Sequence, residues 1–294
     1  MLLEQLINGI TLGSVYAIVA LGYTLVFGVL GIINMAHGEI FMFGAFMGVL
    51  TTGILHGPLW LSFLVAIAAT ACMGYLLERL ALRPLRGKQG VSHLAPLIST
   101  IGVSILLENL ANHAFGSGNH PFRSHFAEIH FTVGNVTVYF VQIAIFAISV
   151  ALMISLSLWL AKTKAGKALR ATAESLETAA LLGIDTKKMI TLTVIVASAM
   201  GGVAGILVGM AFNSVNAQMG LSVGLKGLAI IILGGMGNVK GAVVGGMILG
   251  LSETFIVVAG FSGYRDAIAF IMIIIILLIR PQGLFGNKAS DARG

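Results

Sequence analysis

Near the N-terminus, the segment NMAHGE carries side chains that can bind a solute, relay protons or gate a path. Its polar residues Asn34, His37 and Glu39 lie between two long apolar stretches. Ionisable groups near membrane depth are costly, so they tend to line a path or to pair with partners. On a helix, Asn34 and His37 would share one face at positions i and i+3. We take the three residues as candidates for a translocation path, and the alternative is a cytoplasmic turn whose polar residues cap helix ends.

A second glycine-rich stretch repeats the pattern of this segment. LGIINMAHG at 30–38 and LGGMGNVKG at 233–241 share Leu-Gly, then Asn, then Gly, with an offset of one residue, and a glycine-rich span follows each. Glycine-interrupted segments at corresponding places in two halves of a transporter point to its substrate path. Asn238 therefore joins Asn34, His37 and Glu39 as a candidate path residue.

Other charged residues lie within or beside apolar stretches. Glu108 ends one stretch and Glu253 lies inside another. We predict that each bonds a neighbouring helix, and proton uptake is the other role open to a buried carboxyl. Lys226 and Lys240 flank a short apolar segment, and we expect both to extend to the membrane–water interface. Attraction of an anionic substrate is the alternative for these lysines.

The motifs of catalysis and metal binding are missing. The chain has no Gly-x-x-x-x-Gly-Lys-Ser/Thr phosphate loop, no Gly-x-Ser-x-Gly and no His-Glu-x-x-His. His37 and Glu39 supply only two metal ligands, and Cys72 is the one cysteine. Four histidines share a polar interval without the spacing of a metal site: His113, His120, His125 and His130. We predict no catalytic residue, no bound cofactor and no metal in this chain.

The composition is that of an integral membrane protein. Of 294 residues, 57% are hydrophobic and 10% are charged, whereas soluble domains have about 25% charged residues. The 38 glycines suit close packing between helices. The net charge of +6 does not indicate nucleic-acid binding, because Lys and Arg cluster in loops that face the cytoplasm and anionic lipid. The N-terminus lacks the pattern of a signal peptide, so we expect it to belong to the first span.

Apolar runs predict an all-α polytopic bundle of eight to ten transmembrane helices, in a single transmembrane domain over residues 1–294. The nine predicted spans cover residues 6–33, 40–55, 59–77, 94–110, 140–160, 190–212, 225–236, 239–259 and 267–279. The first is too long for one perpendicular crossing, so it must tilt or break near Gly22, Gly28 or Gly31. Basic residues place 78–93, 161–188 and the tail in the cytoplasm, and 111–135 and the N-terminus outside.

Residues 161–188 form the longest polar interval. Basic residues stand at both of its ends: Lys162, Lys164, Lys167, Arg170, Lys187 and Lys188. Residues 168–182 lack Pro and Gly and predict one short helix. Gly183 offers its C-cap, and Asp185 with Thr186 can start the next helix. A glycine-ended helix held between two membrane helices is the kind of surface on which a soluble partner docks.

Within this interval, ETAALLG at 177–183 resembles the EAA-type motif of ABC importer permeases. That motif places a Glu, two small residues and a Gly on a cytoplasmic coupling helix. Glu177, Ala179 and Gly183 match, whereas Thr178 replaces the first Ala and the downstream Ile-x-Leu-Pro is missing. We assign an ATPase-coupling helix to Arg170, Glu174, Glu177, Ala179 and Gly183. The alternative is a charged linker that solvates the membrane surface.

Five stretches together resemble one family, the permease subunits of branched-chain amino acid ABC transporters of the LivH type. They are NGITLGSVYAIVALGYTLVFGVLGIINMAHGEIFMFGA at 8–45, LISTIGVSILLENL at 97–110, KAGKALRATAESLETAALLGID at 164–185, GLKGLAIIILGGMGNVKGAVVGG at 224–246 and RPQGLFG at 280–286. They span nearly the whole chain, and the first and fourth are fairly specific to this group. Related permeases for urea and short amides share much of the pattern.

The resemblance implies a complete importer in the plasma (inner) membrane of a bacterium. This chain and a second, larger related permease would form the path, two cytoplasmic ATPase subunits would use ATP, and an external (periplasmic) binding protein would deliver leucine, isoleucine or valine. Urea or a short amide is the alternative substrate. A rival from another class is a channel or ion-coupled carrier acting alone, with Glu108, Glu253 or His37 carrying the coupling charge. A hydrolase built on His37 and Glu39 lacks a nucleophile and a third ligand.

Overall fold

The computed structural model describes residues 2–86, 94–122, 129–133 and 136–286. Its helices are α1 (Leu2–Leu30), α2 (His37–Val49), α3 (Leu59–Leu77), α4 (Ala95–Phe115), α5 (Phe140–Lys162), α6 (Lys164–Glu174), α7 (Leu176–Leu181), α8 (Thr186–Phe212), α9 (Met219–Gly234), α10 (Val239–Val258) and α11 (Arg265–Ile279). The π-helical turn Leu50–Ile54 extends α2, the π-helical turn Glu78–Leu82 and the 3-10 turn Arg83–Leu85 extend α3, and the 3-10 turn Ser262–Tyr264 precedes α11. Strands β1 (His130–Val133) and β2 (Val136–Tyr139) pair antiparallel.

The helices confirm an all-α polytopic membrane fold. Within the described residues, seven are long and apolar enough to cross a bilayer: α1, α3, α4, α5, α8, α10 and α11. The apolar helix α9 is shorter, with 16 residues, and α2 reaches crossing length only with its π-helical turn. These nine helices lie at the nine predicted spans. Parts of the predicted intervals 78–93 and 111–135, including His125, and the tail after residue 286 lie outside the described residues.

The basic residues gather at one end of the bundle, which we name the inner end. Arg79 and Arg83, which follow α3, lie beside Lys187 and Lys188 at the start of α8. The end of α1 lies beside α6 and the turn between α9 and α10. At the opposite, outer end, the N–H of Thr137 in β2 donates to Oε1 of Glu4 (3.1 Å). Helix α1 therefore starts at the end opposite the basic residues, and the external N-terminus stays a prediction from the charge distribution.

Helices α1 and α8 form the centre of the bundle. Over an apolar stretch of 18 residues, 89% of the residues in α1 and 78% of those in α8 are buried. Helix α1 packs along α10, and α8 packs against α2 and α3. Glycines set these contacts, since a Cβ on Gly205 would lie 2.2 Å from the carbonyl oxygen of Phe41 and one on Gly250 would lie 2.3 Å from Cα of Gly13. Close helix approach through small residues therefore holds the core together.

The first span breaks at one of the three glycines that the sequence offers. Helix α1 runs unbroken through Gly22 and Gly28 and ends at Leu30, where Gly31 has φ +64°. A left-handed residue ends a helix at little cost when it is glycine. The chain then turns back into the bundle and begins α2 at His37.

The cytoplasmic interval forms two helices, so the prediction of one helix over 168–182 was wrong. Ser175 is extended (φ −158°, ψ 116°), and its hydroxyl accepts a hydrogen bond from the N–H of Thr178 (3.2 Å). Ser175 therefore ends α6 and caps α7, because serine competes for backbone donors that a continuous helix would use. Gly183, with φ +80°, ends α7 as predicted. Asp185 caps α8 as predicted. Its carboxylate accepts a hydrogen bond from the N–H of Lys188, and this bond lowers the pKa of the carboxyl.

Candidate functional site

Helices α2 and α9 start inside the bundle, with their first turns in contact. A Cβ on Gly38 would lie 2.3 Å from the carbonyl oxygen of Gly220 and 3.0 Å from Cα of Gly224. His37, the first residue of α2, lies against Gly201, near the middle of α8. The start of a helix carries roughly half a positive charge. Two such helix starts therefore meet near the middle of the bundle.

The imidazole of His37 occupies space that only glycine leaves open. A Cβ on Gly22 of α1 would lie 2.3 Å from Nε2 of His37. The ring of Tyr23 meets the imidazole edge-on, with 4.6 Å between centroids and 72° between planes. His37 is fully buried, and neither of its ring nitrogens has a hydrogen-bond partner among the described residues. Its polar atoms are thus desolvated without compensation from the described chain.

Glu39 and Asn34 complete this buried group, which we name the His37 cluster (Asn34, His37, Glu39). Oγ of Ser104 on α4 donates to Oε1 of Glu39 (3.2 Å), and Oδ1 of Asn34 accepts from the N–H of Ala36 (3.1 Å). Among the described residues, Oε2 of Glu39 and Nδ2 of Asn34 have no partner. An unsatisfied buried polar group costs about 1–3 kcal/mol. The unpartnered atoms of the His37 cluster therefore lower the stability of the fold.

Asn238 lies apart from the other three candidate path residues. It caps α10 at the inner end, where Oδ1 accepts from the N–H groups of Lys240 (3.0 Å) and Gly241 (3.1 Å) and Nδ2 donates to the carbonyl of Phe285 (2.9 Å). Asn34 and Asn238 both accept from the N–H two residues later. The two related segments thus use asparagine alike, but the structure does not bring Asn238 to the His37 cluster.

A second polar group joins α1, α9, α10 and α11, and we name it the Glu253 network (Tyr16, Lys226, Glu253, Arg265, Asp266); Tyr16, Lys226 and Glu253 are buried, and Asp266 is exposed. Glu253 is fully buried, and its Oε2 accepts from the hydroxyl of Tyr16 (2.9 Å) and from Nε of Arg265 (2.8 Å). Nζ of Lys226 lies 2.8 Å from Oε1 of Glu253 and 2.7 Å from Oδ1 of Asp266. It also donates to the Tyr16 hydroxyl (3.2 Å).

The Glu253 network corrects one prediction and confirms another. Lys226 is buried instead of exposed at the surface, because its ammonium pairs with the buried carboxylate of Glu253 and with the exposed carboxylate of Asp266 at the start of α11. Glu253 bonds neighbouring helices, as predicted. Sequence reasoning missed Tyr16, Arg265 and Asp266. The adjacent Arg-Asp pair at the start of the last apolar run was the available signal, since a buried Lys and Glu need such partners.

The residues assigned to a coupling helix spread over α6, α7 and the turn that follows: Arg170, Glu174, Glu177, Ala179 and Gly183. Ala179 is 1% exposed and is therefore covered by the chain itself. Leu181 and Leu182 are 87% and 74% exposed. Two adjacent exposed leucines at the inner end are apolar surface available to a partner. The sequence signal for them, a Leu-Leu pair just before Gly183 in a polar interval, was overlooked.

Clefts open at both ends of the bundle. An outer cleft of about 440 Å³ lies between α1, α5 and the end of α8, and its lining includes Asn8, Gln142 and Asn213. An inner cleft of about 830 Å³ lies between the end of α1, the junction of α6 and α7, and the turn between α9 and α10. The His37 cluster lies between these two levels. The described residues contain no group of three or more His, Cys, Asp or Glu placed to hold a metal ion.

Comparison with known proteins gives one consistent result. The family model described as "Branched-chain amino acid transport system / permease component" matches residues 5–277. The high-affinity branched-chain amino acid transport system permease protein BraD of Pseudomonas aeruginosa is 37% identical over 98% of this chain and 97% of its own length. LivH of Escherichia coli, which carries the same description, is 36% identical over the same shares of the two chains. A probable branched-chain amino acid transport permease protein LivH of Methanocaldococcus jannaschii is 31% identical over 95% of this chain and 91% of its own length.

A solved structure supports the fold. A chain of PsaBC from Streptococcus pneumoniae, determined in complex with a Fab, superposes with a TM-score of 0.52 at 15% identity and covers 95% of this chain and 92% of its own length. At this identity the similarity concerns the arrangement of the helices alone.

Proposed function

Since the chain belongs to the family of branched-chain amino acid transport permease components, we propose that it forms part of the membrane path of an ATP-driven importer for leucine, isoleucine and valine. It is a multi-pass transport subunit and not an enzyme. The observation that carries the proposal is the identity to relatives of that description, which extends over nearly the whole length of both chains. We place the importer in the plasma (inner) membrane of a bacterium.

The importer we propose contains a second, larger permease, two cytoplasmic ATPase subunits and an external binding protein. This sequence has no phosphate loop, so ATP is hydrolysed in other chains. Leu181 and Leu182 give α7 an exposed apolar surface at the inner end, which suits the docking of a soluble subunit. Because α6 and α7 connect α5 directly to α8, a shift of the docked subunit would move two membrane helices together.

We assign to the His37 cluster a role in the substrate path, either as a polar site that contacts the substrate or as part of a gate. Two helix starts meet there in the interior, an arrangement that transporters use to hold the charged groups of a substrate. Four of its buried polar atoms have no hydrogen-bond partner among the described residues, which leaves them available to a solute: Nδ2 of Asn34, both ring nitrogens of His37 and Oε2 of Glu39. The path itself would be completed by the second permease chain.

Reconstitution tests the function as a whole. Vesicles that contain this chain, its companion permease and the ATPases should take up radiolabelled leucine when ATP is inside and the binding protein is outside. An excess of unlabelled isoleucine or valine should compete, and urea should not. Uptake by the purified chain alone, driven by a proton gradient, would instead establish an ion-coupled carrier, and competition by urea would move the substrate to the amides.

Docking on α7 is tested separately with a leucine variant. Leu181→Asp places a carboxylate in the exposed apolar surface, and we expect the ATPase subunits to dissociate during purification and ATP-driven uptake to fall. Leu2→Asp is the matched control, because Leu2 is also exposed (69%) and lies at the outer end of α1. A Leu181→Asp importer that retains its ATPases and normal uptake would show that α7 is not the docking element.

A further inference from the structure

A third cleft, separate from the two described above, opens between the inner ends of α3 and α8. Its volume is about 450 Å³. Four basic side chains contribute to its lining: Arg79 and Arg83, which follow α3, and Lys187 and Lys188, which begin α8. The lining includes one carboxylate, Asp185, whose Oδ2 lies 3.1 Å from Nζ of Lys188. Four cations and one anion leave this basic cleft with a local charge of +3.

The remaining wall of the basic cleft is largely apolar and lies deeper in the bundle. It is formed by Tyr75 on α3 and by Leu192 and Ile195 on α8, with the hydroxyl of Thr191 beside them. Both helices run from the basic residues toward the middle of the bundle, so charge lies at the mouth and apolar surface lies below it. The Tyr75 hydroxyl accepts a hydrogen bond from Arg79 (2.9 Å), which joins the two parts of the wall.

We propose that the basic cleft binds an anionic phospholipid of the inner leaflet. Basic pockets between membrane helices on the cytoplasmic side are suited to phosphate head groups. The phosphate would lie among Arg79, Arg83 and Lys187, and an acyl chain would follow the wall formed by Leu192 and Ile195. A free phosphate ion would use the cations but leave this apolar wall without a contact.

The position of the basic cleft gives the bound lipid a consequence for coupling. Lys187 and Lys188 lie in the first turn of α8, and only the short connection 182–185 separates this helix from α7. A phosphate shared between these lysines and Arg83 would join α3 to the start of α8. It would therefore hold in place the connection through which α7 moves the bundle.

The one cysteine of the chain provides the probe. Cys72 is exposed and lies one helical turn before Tyr75 on α3. A fluorophore on Cys72 of the full chain in vesicles reports nearby acyl chains when these carry bromine. We expect brominated phosphatidylglycerol to quench the fluorophore more strongly than brominated phosphatidylcholine at equal mole fraction, which gives a preference of the cleft for the anionic lipid.

Variants that each remove one positive charge then test whether the basic cleft causes the lipid preference. Each basic residue near an anionic head group contributes about 1 kcal/mol, so Arg83→Gln or Lys187→Gln should each lower the preference about five-fold. Lys162→Gln is the matched control, because Lys162 is an exposed lysine at the inner end of α5 and is not part of the cleft lining. Gel filtration and thermal unfolding of the two variants, which change exposed side chains, confirm that they are folded.

Four results would overturn the proposal. The first is equal quenching by the two brominated lipids. The second is a preference that Lys162→Gln weakens as much as Arg83→Gln does, because the attraction would then be a general property of the basic surface. The third is loss of the preference when inorganic phosphate is added at constant ionic strength, since a free anion would then be the natural occupant. If Arg83→Gln releases the ATPase subunits while lipid quenching is unchanged, the occupant is an acidic protein surface instead.

Discussion

Two polar groups have buried side chains at their centres, and they differ in how many charged partners surround them. In the Glu253 network, the carboxylate of Glu253 contacts Tyr16, Lys226 and Arg265, each within 3 Å. In the His37 cluster, ring nitrogens, an amide and a carboxylate oxygen are buried without partners among the described residues. Opposite charges at this distance make a buried carboxylate a link between helices. Incomplete pairing costs stability, and it is one reason for the path role that we propose for the His37 cluster.

The position of α11 shows what the Glu253 network holds. Only 6% of the residues in the apolar stretch Ser262–Ile279, which contains α11, are buried, so this helix has little core contact of its own. Its first two residues, Arg265 and Asp266, are bound to Glu253 of α10 and Lys226 of α9. We infer that these ion pairs fix the outer end of α11, whereas among the described residues His37 forms no ion pair or hydrogen bond between helices.

Removing the central carboxylate should give the largest loss of stability. In Glu253→Ala, Lys226 and Arg265 lose their shared partner inside the bundle, and breaking a buried pair in this way costs about 3–5 kcal/mol. The free energy of unfolding is measured by titration with a denaturing detergent. Glu177→Ala, which removes an exposed carboxylate, should leave it unchanged.

A double variant tests whether this loss comes from unpaired charge. Lys226→Met combined with Glu253→Leu removes both members of the pair and leaves Arg265 and Asp266 at the partly exposed start of α11. Replacing a buried pair by apolar residues is often close to neutral. The double variant should therefore be more stable than Glu253→Ala. If it is less stable, the network contributes through packing and the contrast with the His37 cluster loses its basis.

The contact between the two helix starts should give an intermediate effect. A methyl group on Gly38 would lie 2.3 Å from the carbonyl oxygen of Gly220, so Gly38→Ala must push α2 away from α9. Overpacking of this kind costs about 1–3 kcal/mol. Gly102→Ala is the control, because no atom lies within 4 Å of a Cβ built there, and in a helix interior the change should stabilise by roughly 0.5–1 kcal/mol. Equal unfolding free energies for the two variants would show that α2 and α9 are not in tight contact.

Much of this comparison could be predicted from the sequence, and the rest depends on contacts between distant residues. Helix α3 begins and ends at the predicted residues, because an apolar run between Pro58 and charged residues determines both ends locally. The burial of Lys226 could not be read in this way. Its partners Glu253 and Asp266 are distant in sequence, and only the packing of α9 against α10 and α11 brings the three charges together.

Short structural elements were also missed when the structure was predicted from the sequence. The hairpin of β1 and β2 was not predicted, because four-residue strands in a polar interval carry too little alternation to be recognised. The break at Ser175 was missed for a related reason. Serine is tolerated within helices, and its capping role becomes visible only when its backbone is extended.

The smallest change in stability, and the most informative one, should come from His37→Leu. Leucine has nearly the volume of histidine and no polar atom, so the variant removes the unpartnered nitrogens without opening a cavity. Volume-conserving core changes cost less than about 1.5 kcal/mol. If the His37 cluster acts on the substrate path, uptake by the complete importer should nevertheless fall on the order of ten-fold, the effect of ~1.4 kcal/mol on a barrier. The control His113→Leu changes an exposed histidine at the outer end of α4 and should alter neither quantity. A variant at His37 that unfolds easily but transports normally when folded would make this cluster a structural element like the Glu253 network, and the difference between the two sites would disappear.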